Sequence, residues 1–213
     1  MNIRYKEGLI LSEELLIRHC SPTLAGMKTG SLFAGEFCDE EKLRECMRCW
    51  NRMLTRKGVR AVPLQFKDGR ALIYVYRPER LRMDFCHSTS ERLLRERGYC
   101  KEKPGNCVVQ LIKRLQEFEK FPHEIGLFLG YPPDDVSGFI ENQGYGYKWV
   151  GNWKVYGDTE TAKKTCARYK KCTDTDRSMF ANGKTIGQLT VDENKRLCCK
   201  DGIQRGIIFA KVK

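Results

Sequence analysis

The sequence feature that most constrains the fold is a β-hairpin signal over residues 61–77. AVPLQFK (61–67) alternates apolar and polar residues, Asp68-Gly69 is typical of a type I′ turn, and RALIYVYR (70–77) follows. The second strand is apolar without a break from residue 71 to residue 76. Such a run indicates burial on both faces, so we expect this strand at the centre of its sheet.

Helices and a second hairpin surround this signal. The segment GYGYKWVGNWKVYG (144–157) predicts a hairpin over residues 145–156 that turns at Gly151-Asn152. Capping residues, prolines and apolar spacing predict the other elements. The predicted helices run from Ser12 to about Cys20 with a stop at Pro22, from Asp39 to Lys57 before Gly58, from the capping box Ser88-x-x-Glu91 to Gly98, from Asn106 onward, from Pro133 onward, and from Asp158 to about Lys171, whereas residues 23–33 and 205–213 are predicted strands.

This mixture favours an α+β fold, because strands and helices do not alternate regularly. We expect a single domain over residues 1–191, with an antiparallel or mixed sheet built from the hairpins 61–77 and 145–156 and covered by several helices. Residues 192–213 are expected to form a C-terminal extension.

The composition and the N-terminal segment indicate where in the cell the protein is expected. No apolar run approaches the ~20 residues of a membrane helix, and MNIRYKEGLILSEE at the start lacks the apolar stretch of a signal peptide. The count of 11 cysteines is odd, which argues against a disulfide framework in a chain that is not secreted. We therefore expect a cytoplasmic protein with reduced thiols and no membrane partner.

The chain is basic, and its charge is unevenly distributed along the sequence. The net charge is +12, and residues 146–213 carry 15 Lys and Arg against 7 Asp and Glu. Arg44, Arg48, Arg52 and Arg56 also recur every four residues along one predicted helix. A nucleic acid or another anionic partner would suit such a surface. The alternative is a solvated face partly paired with glutamates, such as Glu40 with Arg44.

Two sets of cysteines and histidines are candidates for chemistry. Cys46 and Cys49 form a CxxC in the middle of a predicted helix, a context that favours core packing over a redox pair or a metal site with the remote Cys198-Cys199. Cys20 could form a thiol–imidazole pair with His123, beside Glu124, if the fold brings them together. Structural roles are the alternative for both, and we predict no metal site and name no cofactor.

Aromatic residues concentrate in the second hairpin. Tyr145, Tyr147, Trp149, Trp153 and Tyr156 lie beside Lys148 and Lys154. Aromatic rings interleaved with cations can stack a planar ligand, and they can also simply stabilise the hairpin.

The longest distinctive segment is FPHEIGLFLGYPPDDVSGFIENQG (121–144). Together with HCSPTLAGMKTGSLF (19–33), ALIYVYR (71–77) and GNWKVYGDTETA (151–162), it resembles a family of unknown function from anaerobic Gram-positive bacteria, over about residues 15–191. The resemblance implies a small cytosolic protein and carries over no activity. The positions that match the family's motifs are His19, Cys20, Arg77, His123, Glu124, Asp135, Asn142, Trp153 and Lys154.

Physically, Asp134 and Asp135 lie in the first turn of the helix that begins at Pro133. Their charge disfavours a phosphate there and suits a cation, an amine or a basic partner.

Three functional hypotheses follow. The first is a module that binds a small ligand or a protein partner in a groove between residues 121–142 and the aromatic hairpin, with His19, Arg77, Asp135, Asn142, Trp149, Trp153 and Lys154 as ligand-binding candidates. The second is a small enzyme in which Cys20, His123 and Glu124 are catalytic. The third is nucleic-acid binding by the Arg44–Arg56 stripe.

Overall fold

The computed structural model describes residues 12–100, 104–117 and 121–193. Its helices are α1 (Glu13–Leu24), α2 (Glu40–Leu54), α3 (Pro78–Phe85), α4 (Ser88–Glu96), α5 (Pro104–Glu117), α6 (Ile125–Phe128), α7 (Pro133–Glu141), α8 (Thr159–Ala181) and α9 (Ile186–Leu189). Its strands are β1 (Gly30–Glu36), β2 (Arg60–Lys67), β3 (Arg70–Tyr76), β4 (Trp149–Val150) and β5 (Lys154–Val155). The predicted α+β fold is confirmed.

The hairpin at residues 61–77 forms as predicted. Strands β2 and β3 pair antiparallel, and Asp68 and Gly69 both have positive φ (50° and 70°), as a type I′ turn requires. Strand β1 pairs antiparallel on the other side of β3, so the sheet order is β1-β3-β2 and β3 is central, as predicted. Pro63 lies at a register shift in the edge strand β2, where its missing N–H costs least.

The central strand is apolar throughout because both of its faces are covered. Ala71, Ile73 and Val75 pack into a first core with α1, α2 and α9, whereas Tyr74 and Tyr76 pack into a second core with α3 to α7. The described residues thus form one domain with helices on both faces of a three-stranded sheet. Hairpin β4–β5 and α7 extend the second core outward.

Several predicted boundaries are wrong. Helix α1 starts after Ser12 as expected but passes through Pro22 to Leu24, and the strand predicted over residues 23–33 begins only at Gly30. His87, not Ser88, caps α4, and Asn106 lies inside α5 rather than at its start.

The other helix signals hold. Asp39 caps α2, which ends in a 3-10 turn (Thr55–Lys57) before Gly58, and Asp158 caps α8, which runs ten residues beyond the predicted end, to Ala181. The predicted strand 205–213 and Cys198-Cys199 lie outside the described residues, as does the chain before Ser12. No helix in the described part of the chain is long and apolar enough to cross a membrane.

Candidate functional site

A groove of about 380 Å³ lies between residues 121–139 and hairpin β4–β5, and we call it the aromatic groove. Its lining comprises the rings of Phe121, His123, Tyr131, Phe139 and Trp153, together with Ile125, Gly126, Asp135, Val136, Val150, Gly151, Asn152 and Lys154. The volume lies within the range of small-molecule sites. These are the two walls that the sequence predicts for a ligand groove.

Asp135 fastens one wall of the groove to the other. Its side chain is buried in the first turn of α7, where Oδ2 accepts a hydrogen bond from Trp153 Nε1 at 2.7 Å. Oδ1 accepts from the backbone N–H groups of Tyr156 and Gly157, both at 2.8 Å. Three donors therefore satisfy this carboxylate, and through them it holds the hairpin in place.

Tyr131 is one of the rings that line the groove. Its ring stacks on Trp153, with centroids 5.1 Å apart, and the Lys28 ammonium lies 5.1 Å from the same ring centroid. The backbone turn before Tyr131 requires glycine at position 130. Gly130 has φ of +72°, and a Cβ at this position would lie 2.7 Å from Thr29. Burial lowers the pKa of Lys28 to about 8, and the nearby Cys20 and Cys166 thiols oppose that shift.

Phe139 is another ring that lines the groove. The His123 ring contacts it edge-on at a centroid distance of 5.0 Å, and Lys154 Nζ lies 5.5 Å from its centre. Lys154 also lies over the ring of Tyr147 and donates to the carbonyl of Gly144 at 2.8 Å. A histidine and a lysine thus border an otherwise apolar surface.

A second, smaller cavity of about 220 Å³ adjoins the groove, and we call it the arginine cavity. It is lined by Arg97, Arg114, Phe121, Pro122, His123, Glu124 and Ile140. Glu124 is buried in its wall, where it accepts a hydrogen bond from Tyr99 Oη at 3.0 Å and forms ion pairs with Arg114 Nε at 3.0 Å and Arg97 Nε at 3.5 Å. This carboxylate is therefore held by partners within the protein.

Cys20 lies elsewhere. Its side chain has no exposed surface, belongs to the first core, and lines neither of the two cavities that His123 borders. Burial raises the pKa of the Cys20 thiol far above its ordinary value, the reverse of what a nucleophile needs. The structure therefore does not assemble Cys20, His123 and Glu124 into one site. His19 is exposed on α1, and its ring stacks on Phe33. Partial burial of the ring lowers the pKa of His19.

Arg77 is also absent from the groove. It is fully buried, and its guanidinium donates to the carbonyl oxygens of Thr23, Leu24 and Val191 at 2.6–2.8 Å. Asn142 ends α7, and its amide donates to the Gly138 carbonyl at 2.8 Å. Trp149 is half-buried in β4, where its ring packs over Gly151. None of these three candidates is among the residues that line the groove.

The two features on α2 are separate from this site. Cys46 is buried in the first core, as core packing predicts, and no group of three metal-ligating side chains occurs in the described residues. Arg44 pairs with Glu40 at 2.5 Å and Arg48 with Glu41 at 2.7 Å, while Arg52 donates to Cys49 Sγ at 2.8 Å. The stripe is thus exposed and partly neutralised.

Sequence reasoning missed Lys28, Tyr131, Phe139, Arg97 and Arg114 as site residues. The signal for the first three was available, because each lies inside a segment that carries the family resemblance. Arg97 directly follows α4 and Arg114 lies on α5, in segments without a motif, and only the tertiary packing brings them to Glu124.

Comparison with known proteins places the chain in a family without assigning it an activity. No curated protein and no solved structure matches it. The model of one family, described as "Protein of unknown function (DUF3793)", matches residues 16–190, a span that includes every residue of the aromatic groove and the arginine cavity. The chain belongs to this family, DUF3793, as the resemblance in its motifs implies.

Proposed function

We propose that this protein binds a small ligand with a flat aromatic or apolar body in the aromatic groove. The observation that supports it is the concentration of half-exposed rings around one cavity. Trp149 and Trp153 are half-buried rather than fully buried, so the aromatic hairpin keeps surface for a ligand. Phe121, on the opposite wall, is 45% exposed.

The polar groups of the groove favour a binding role over catalysis. The Asp135 carboxylate is satisfied by three N–H donors, and Glu124 is held by two arginines and a tyrosine. A general acid or base must reach the substrate, and among the acidic side chains that line the two cavities neither points a free oxygen into them. Rings and apolar side chains supply the remaining contact surface, which suits stacking.

A neutral naphthyl compound, 3-(2-naphthyl)propionamide, tests this proposal. At roughly 0.3 kcal/mol per heavy atom, a ligand of this size is expected to bind with a dissociation constant on the order of 1 mM. Ligand-observed saturation-transfer NMR measures such affinities. Phe139→Ala removes one ring of the groove and should weaken binding about tenfold, because stacking contributes about 1–3 kcal/mol per ring.

Phe37→Ala is the matched control. Phe37 is also a half-buried aromatic, but it packs edge-on against Phe66 beside the first core and lines neither cavity. Its loss should leave the dissociation constant unchanged. Equal affinities of the Phe139→Ala and wild-type proteins, or no saturation transfer to the naphthyl protons of the wild type, would refute the proposed function.

A further inference from the structure

The aromatic groove and the arginine cavity share two wall residues, Phe121 and His123. One cavity is apolar and the other is built around guanidinium groups, so the two together form a surface with an apolar body and a cationic end. We propose that the arginine cavity is a carboxylate subsite and that the natural ligand of the groove is an organic acid with an aromatic or flat apolar body. This inference rests on the proposed function and narrows it to a ligand class.

The charges of the arginine cavity support an anion. Its lining residues carry two guanidinium groups and one carboxylate, that of Glu124. Glu96 lies close to Arg97, at 3.8 Å from Nη1, but it also pairs with Arg92 at 3.2 Å, so it neutralises Arg97 only in part. A carboxylate on the ligand would complete the pairing of Arg97.

The donor geometry supports a carboxylate in particular. Arg97 and Arg114 each direct Nε to Glu124, and each directs Nη1 to a backbone carbonyl at 3.2 Å. These contacts fix both planar groups in place. Nη2 of Arg97 has no hydrogen bond within the described ranges, and the side chain is 21% exposed, so a ligand can reach it. A fixed, planar, partly buried guanidinium suits the planar carboxylate group.

The alternative position for an acid is beside Lys154. Lys154 borders the groove but not the arginine cavity, and its ammonium already donates to Gly144 and lies over two aromatic rings. A carboxylate bound there would need no arginine. The two positions are therefore separable by mutation.

The test compares two ligands that differ only in charge, 3-(2-naphthyl)propionate and its primary amide, on the full chain at low ionic strength. The carboxylate should bind at least tenfold more tightly than the amide, and the difference should shrink as salt is added. Arg97→Gln should abolish the preference while leaving amide binding intact, and Lys154→Gln should preserve it. Thermal melts of both variants establish that they are folded.

The outcomes separate this inference from the proposed function. If both compounds bind wild type within twofold of each other, the carboxylate subsite is refuted and the groove survives. If Lys154→Gln rather than Arg97→Gln abolishes the preference, the acid binds beside Lys154 and the subsite is again refuted. If neither compound binds, the proposed function itself fails. Should Arg97→Gln not fold, the charge comparison on wild type and on Lys154→Gln still decides the question.

Discussion

Arg77 offers the strongest test of how the fold is held together. Its side chain follows the central strand β3, has no exposed surface, and connects three separate parts of the chain. The guanidinium donates to carbonyl oxygens at the end of α1 (Thr23 at 2.7 Å, Leu24 at 2.6 Å), after α9 (Val191 at 2.8 Å) and after α2 (Lys57 at 3.3 Å), and it pairs with Glu193 at 3.4 Å. Replacing it with methionine keeps much of the volume and removes every donor.

The expected loss of stability can be worked from these contacts. Arg77→Met strips the guanidinium donor from three close carbonyls, and each buried acceptor left without a partner costs about 1–3 kcal/mol. The substitution also removes the cost of burying a charge, which offsets part of that sum. A net loss of about 4 kcal/mol is therefore expected, in line with the 3–5 kcal/mol typical of breaking a buried charged contact. For a domain of this size, that lowers Tm by roughly 8–16 °C.

Urea unfolding followed by circular dichroism measures the change. Arg77→Lys should recover little, because one ammonium cannot reach acceptors spread around a planar fork. The matched control is Arg82→Met on α3, where the side chain is 56% exposed and, among the described residues, pairs only with Glu79 at 3.0 Å, so its loss should cost less than ~0.5 kcal/mol. A loss below about 1 kcal/mol for Arg77→Met, or equal losses at both positions, would refute the reasoning.

Two further predictions concern the surroundings of the groove. The pKa of Lys28 falls from 10.5 to about 8 on folding, so the folded state disfavours its charge. The free energy of unfolding of wild type should therefore rise by about 3 kcal/mol relative to Lys28→Met as pH increases from about 8 to 10.5. The exposed Lys170→Met should show no such difference in parallel urea titrations. Gly138→Ala should destabilise the fold by about 1–3 kcal/mol despite the better helix propensity of alanine, because the new Cβ would lie 2.7 Å from Tyr156 Cγ. At Gly105, a new Cβ would meet nothing within 4 Å, so Gly105→Ala should be neutral or stabilising in the same assay.

The sheet was predictable because its signals are local. The turn residues Asp68 and Gly69 and the apolar run of β3 are both encoded within one hairpin, and they determine the pairing and the central position without reference to the rest of the chain. The helix ends depend on more distant atoms. Pro22 lies in the last turn of α1, and the two carbonyls beyond it bind Arg77, more than fifty residues away. Local sequence patterns do not predict these hydrogen bonds from Arg77 to the end of α1.

Helices α3 and α4 illustrate a second limit. Helix α3 is absent from the elements predicted from the sequence, although Pro78 stands at its first position. Once α3 occupies residues 78–85, His87 follows directly and its Nδ1 accepts from the Thr89 N–H at 3.3 Å, which displaces the predicted cap at Ser88 by one residue. An unpredicted helix thus shifts the start of its neighbour.

The candidate site was predictable in outline and not in its polar contacts. The two groove walls follow from sequence, because the aromatic hairpin and residues 121–142 are each distinctive. What a charged residue does there depends on partners from other elements. The sequence predicts that Asp135, in a first helical turn, suits a cation, an amine or a basic partner, yet the hairpin supplies three N–H groups to it. Sequence shows the charge and not the donors that satisfy it.

The motif residues consequently divide into two classes with different roles. Arg77, Glu124 and Asp135 carry charge but are buried and bound internally, so they build the framework. The partly exposed residues His123 and Trp153 border the groove, and both present rings. Since the internal charges are already satisfied, the proposed recognition falls to ring surfaces and to the guanidinium of Arg97 beside them. Under the two proposals, this chain is expected to distinguish ligands by flat shape and by one negative charge. Substitutions at the first class should then change stability, while those at the second change affinity.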